Sequence, residues 1–208
     1  MDAAAFPEEI EARTATELDR LGSQQAVVAL TDADLDAESV LRAAARSERT
    51  AAETFAAWAE AETDEAASRT FAELADRERD HYDRVVAELE DAEHADGLDP
   101  MHERLRDLET TAERAAGLVG RSLVGDRTQL QVVNFFVNEA DERRADLFRE
   151  LRADTKAGVE TGADLLAARC EEGDWDRALA VAESVVEVAY DDYAETLTGM
   201  GLDPKPLC

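Results

Sequence analysis

FAELADRERDHYDRVVAEL, residues 71–89, decides the fold of this chain. Phe71, Leu74, Glu78, His81/Tyr82, Val85 and Leu89 recur at the spacing of one helical face, so the stretch reads as a helix whose buried side carries a carboxylate and an imidazole. Glu78 and His81, three residues apart, project from the same side and can reach a single point. Thirty residues upstream the pattern recurs: Leu41, Ala44/Ala45, Glu48, Ala52, Phe55 and Ala59 form a second stripe, with Glu48 inside it. Two carboxylates and a histidine are thus expected on faces that should be buried. Buried carboxylates are costly unless they are paired or bound to a cation. A metal ion held by Glu48, Glu78 and His81 is the direct chemical reading. The competing reading is a buried Glu–His pair hydrogen-bonded internally.

The rest of the chain extends the helical pattern. No sustained alternation marks a strand, and Ala, Glu, Arg and Leu recur throughout. Pro7, followed by Glu8 and Glu9, opens a short helix expected to stop at Gly22, and Ser23 caps a second through Ala29 and Leu30. Asp36 and Asp64 are natural N-caps for long helices over 36–62 and 64–93. A loop with Gly97 and Pro100 follows, then a helical segment to about Val137 that is expected to break near Gly125 and Asp126. A long helix over about 140–172 and a last one from Trp175 to about Gly199 meet at Gly173 and Asp174. The organisation is a single all-α domain over 1–208: N-terminal helices in 1–35, a first hairpin over 36–93, a helical crossover over 94–139, a second hairpin over 140–200 and a tail over 201–208.

Glu48, the aromatic stripe, Glu78-x-x-His81 and the following Tyr82 resemble the first hairpin of the rubrerythrin family, within the ferritin-like superfamily. The resemblance covers about a quarter of the chain by residues and the remainder as architecture. It implies a ferritin-like four-helix bundle with a helical crossover and short N-terminal helices, iron as the metal, and a role in iron or oxidative-stress handling. It also implies a matching half-site in the second hairpin. Sliding the first hairpin by 108 residues keeps the apolar match of the last helix, with Phe71 on Leu179, Tyr82 on Tyr190 and Leu89 on Leu197. It then places Val186 and Ala189 at the ligand positions, while Gly158 stands for Glu48. A register shifted by one puts Glu187 and Tyr190 there but breaks the apolar match. The expectation is a divergent member with a degenerate second half-site, facing apolar positions, and one metal at most rather than a di-iron pair. No Cys-x-x-Cys pair is present for a rubredoxin-type module. The alternative is a non-catalytic helical interaction or regulatory module, a transcription-related role included, that has lost the di-iron site.

Composition narrows the partners. Fifty Asp and Glu oppose 22 Lys and Arg, a net charge of -28, and the acids are spread between periodic apolar residues rather than collected in a tail. This points to an acidic protein adapted to high salt, where the Debye length shrinks to about 3 Å and self-repulsion is screened. It argues against sequence-independent nucleic-acid binding, which needs a basic surface. The acidic start, Met1-Asp2-Ala3, lacks a signal-peptide pattern and no apolar run spans a bilayer, so a cytoplasmic, membrane-free protein is expected. A homodimer or an unidentified protein partner fits such a bundle. Cys170 is expected to be a small buried hydrophobe and Cys208 an exposed end. His94 and His102 are expected in solvent, and Glu183 at the edge of the last helix, an extra ligand at most.

Overall fold

The computed structural model describes residues 1–90, 97–171 and 173–204; the expected exposure of His94 and Cys208 falls outside them. Among the described residues the chain is helical without strands: α1 (Ala5–Arg13), α2 (Ala15–Leu21), α3 (Gln25–Leu30), α4 (Ala37–Ala61), α5 (Glu65–Val86), α6 (Pro100–Arg106), α7 (Thr111–Asn138), α8 (Glu142–Arg169) and α9 (Trp175–Gly199). The long helices begin where short polar side chains satisfy free backbone N–H groups. Asp36 accepts from the Ser39 amide, Asp64 from Ala66 and Ala67, and Asp141 from Arg144. Thr110 and Glu113 form a reciprocal capping box at the start of α7. The single helix expected from Pro7 to Gly22 is instead two, parted at Thr14. Ser23 does not cap α3; its hydroxyl meets that of Tyr193.

Two tight hairpins make the frame. α4 and α5 pair across a three-residue connection, and α7 and α8 pair across another. The expected break at Gly125 and Asp126 does not occur, because glycine serves close packing of α7 against α8 rather than termination: a Cβ on Gly125 would lie 2.7 Å from Thr155 Cγ2. A Cβ on Gly162 would lie 2.8 Å from the Ala115 carbonyl oxygen, and one on Gly158 2.4 Å from Ser122 Oγ. The expected second hairpin over 140–200 is therefore corrected: α8 pairs with α7, and α9 lies on another side of α7 and against α1, α2, α3 and α6. Gly173 and Asp174 mark a real turn after α8, but the chain emerging from it leaves α8 for α7. There a Cβ on Gly120 would come within 2.7 Å of the Ala182 carbonyl.

The apolar interior falls into two clusters. One gathers Phe6, Phe55, Trp58, Phe71, Leu118 and Val185 among others; the second holds Val40, Leu41, Val85, Val132, Phe136, Phe148 and Leu151. Along α4 and α5 the switch between clusters happens at a polar residue: between Ala45 and Ala51 on α4, and between Ala75 and Val85 on α5. Glu48, Glu78 and His81 occupy that interval. Trp58 packs against Phe55 and Phe71 and donates its ring N–H to the Leu105 carbonyl, joining α4, α5 and α6 at one seam. Cys170 follows the last turn of α8, half-buried beside the first cluster rather than inside it.

Candidate metal centre

Helical spacing on α4 and α5 brings the three expected residues together in the interior. Glu48, Glu78 and His81 are 2, 2 and 1 % exposed, and one donor atom from each lies within 4.8 Å of the others. His81 Nδ1 stands 3.6 Å from Glu48 Oε2 and 3.6 Å from Glu78 Oε2. Among these atoms, Glu48 Oε2 and His81 Nδ1 have no hydrogen-bond partner.

The opposing wall is polar, not apolar as the register argument expected. Arg121 of α7 donates from Nη1 to Glu78 Oε1 at 2.8 Å and from Nη2 to Glu78 Oε2 at 3.2 Å, with its guanidinium 5.5 Å from the centre of the Phe55 ring. Gln129 Nε2 donates to Glu48 Oε1 at 3.1 Å. From α8, Asp154 Oδ2 lies 3.1 Å from His81 Nε2. Of the positions expected to face the donors, Gly158 packs on Ser122, Val186 is buried in the first cluster, and Ala189 packs at its edge. The correction has one cause: α7, read as a crossover, is a bundle helix. A signal for it exists in the sequence, since Arg121 is the lone charge in the run from Ala115 to Val124.

Electrostatics follow from this packing. Burial, reinforced by the neighbouring Glu78 carboxylate, pushes Glu48 up to about 7. Burial would also raise Glu78, but the Arg121 guanidinium, helped by His81, holds it well below the usual carboxylate range. His81 is pushed up to about 10 because its contacts with Glu48 and Glu78 outweigh the burial that alone would lower it. Asp154 fixes the sense of the ring. With Nε2–H donated to Asp154, the Nδ1 lone pair faces two carboxylate oxygens, an arrangement repulsive unless a proton or a metal ion lies between them.

Other sequence expectations resolve elsewhere. His102 is buried, not solvated, with Nδ1 2.7 Å from Asp99 Oδ2, because Asp99 caps α6 and draws the ring inward. Glu183 pairs with Arg13 at 3.0 Å and takes no part in the centre. No described helix is long and apolar enough to cross a membrane. Comparison with protein-family models, with characterised proteins and with solved structures returns no match. The ferritin-like resemblance therefore rests on the sequence pattern alone: Glu48, the aromatic stripe, Glu78, His81, Tyr82 and the expected order of helices.

Proposed function

We propose that this chain binds one divalent transition-metal ion through Glu48, Glu78 and His81 Nδ1, and acts in iron or oxidative-stress handling as its rubrerythrin-like motif implies. One observation carries the reading: two orphaned buried donor atoms, Glu48 Oε2 and His81 Nδ1, converge with Glu78 Oε2. Donors 3.6 Å apart can share an ion at metal–ligand bonds of about 2.0–2.2 Å. Two carboxylates and an imidazole are the ligand types of a mononuclear non-haem iron site, and an ion there would supply Lewis-acid or one-electron chemistry. The chain's own residues do the rest. Asp154 holds the His81 tautomer, Gln129 orients Glu48, and Arg121 fixes the Glu78 carboxylate through both oxygens, with Oε2 also facing His81 Nδ1.

Metal content of the full chain, purified in high salt and measured by mass spectrometry, tests the reading. One ion per chain, lost in Glu48→Gln, supports it; two ions per chain, or none after incubation with Fe2+, Co2+ or Zn2+, would overturn it.

Arg121 favours a second reading. Its charge, with a proton on His81, balances two carboxylates without any metal. On that reading the bundle is a non-catalytic interaction or regulatory module in which arginine has taken the electrostatic place of a cation. A metal-free chain with full thermal stability is its signature.

A further inference from the structure

Two cavities lie side by side between α4 and α7. The outer, about 330 Å3, is bounded by α3, α4, α7 and α9 and carries three carboxylates, Asp32, Asp99 and Asp192, against one cation, Arg46. The inner, about 70 Å3, is lined by Glu48, Arg121 and Gln129. Leu30, Ser47, Met101, Val124 and Thr128 line both, so the partition between them is about one side chain thick.

We propose that the outer cavity is the entry route by which a hydrated divalent cation reaches Glu48, with Met101 as the movable part of the constriction. The proposal rests on the metal-binding reading above. Glu48 is 2 % exposed and its Oε2 has no partner, so an ion reaching it must cross protein. A path from the half-exposed Asp154 is closed by the His81 ring itself, which turns Nε2 to Asp154 and Nδ1 to the carboxylates. The outer cavity offers an approach from another side, directly against the space that Glu48 lines. Its carboxylates attract a cation, and low-dielectric walls concentrate that field. At the partition, the hydroxyls of Ser47 and Thr128 can replace water in the ion's shell, while the unbranched Met101 side chain can swing aside without disturbing a helix.

Stopped-flow absorbance of Co2+ uptake by the full chain, at fixed ionic strength, tests the route. Met101→Ala should speed loading about tenfold, and Asp32→Asn combined with Asp192→Asn should slow it several-fold, as loss of steering does. Final occupancy should be unchanged in both, since neither touches the three donors. Wild-type loading rates in either variant would overturn the route while leaving the metal site standing. Absence of Co2+ uptake by the unaltered chain would overturn the site and the route together.

Discussion

The two tight hairpins of this bundle bury charge in opposite ways. α4–α5 presents Glu48, Glu78 and His81 from regular apolar stripes, and a proton on His81 offsets one of its two carboxylates but not both. α7–α8 is drawn together by Gly158 and Gly162 and supplies what the first lacks: Arg121, Gln129 and Asp154. A half-site motif therefore defines donors, while the facing hairpin decides which cation satisfies them. Buried charge is a property of the pair of hairpins, not of the motif.

Removing Arg121 should break the comparison most sharply. Arg121→Met leaves Glu78 buried without its cation, and loss of one partner of a buried pair costs about 3–5 kcal/mol. Chemical denaturation measures it. The double variant Arg121→Met with Glu78→Gln should recover much of that loss, because no charge is then stranded. A divalent metal should also raise the melting temperature of Arg121→Met more than that of the unaltered chain. An Arg121→Met chain as stable as the original would mean that Arg121 does not compensate Glu78.

The same centre fixes a pH dependence. Glu48 is raised to about 7 in the fold, so its protonated form is favoured there, and stability falls as pH rises between the ordinary carboxylate range and 7. His81, raised to about 10, contributes stability in full below its ordinary value near 6.5, and that contribution is lost as pH rises through 10. Glu78 is lowered and acts in the opposite sense, losing its contribution only as pH falls through the acid range. Metal-free protein should therefore melt at lower temperature at pH 9 than at pH 6, and Glu48→Gln together with His81→Gln should flatten the slope. Metal affinity should move the other way, rising with pH as the ion displaces protons. A melting temperature that climbs from pH 6 to 9 would contradict the imidazolium between two carboxylates.

How much of this could be read from sequence divides along the same line. Glu48, Glu78 and His81 were legible because helical periodicity acts within one element, and both long caps, Asp36 and Asp64, act within four residues. The partner of that hairpin was not. Glycine marks helix ends when exposed, but Gly125, Gly158 and Gly162 lie inside helices, where their meaning depends on a neighbour that the local pattern does not contain. Gly162→Ala probes this directly. Its Cβ would meet the Ala115 carbonyl, part of a helix backbone that cannot rotate away, so a loss of about 1–3 kcal/mol is expected, read by denaturation. The same exchange at Gly173, where a Cβ meets nothing within 4 Å, should cost far less.

The smallest effect lies in the connection that turns α7 into α8. Asp141 N–H reaches the Phe136 carbonyl at 2.9 Å and Ala140 N–H the Val137 carbonyl at 3.1 Å, a helix-ending pattern that places the intervening residue in the left-handed region. That residue is Ala140, with φ of 57°, where glycine is the usual occupant because a Cβ crowds the following carbonyl. Connections between α4 and α5 need no such residue: Glu62 is extended and Asp64 caps α5 directly. Ala140→Gly removes the crowding but loosens the unfolded chain, and the balance should favour the fold by about 0.5–1 kcal/mol. Paired thermal melts would show a small rise in midpoint, unaffected by added metal because the turn lies at the far end of the second apolar cluster from Arg121. A fall in midpoint would mean that the methyl group of Ala140 packs usefully in the turn and that the α7–α8 hairpin is closed by its glycines alone.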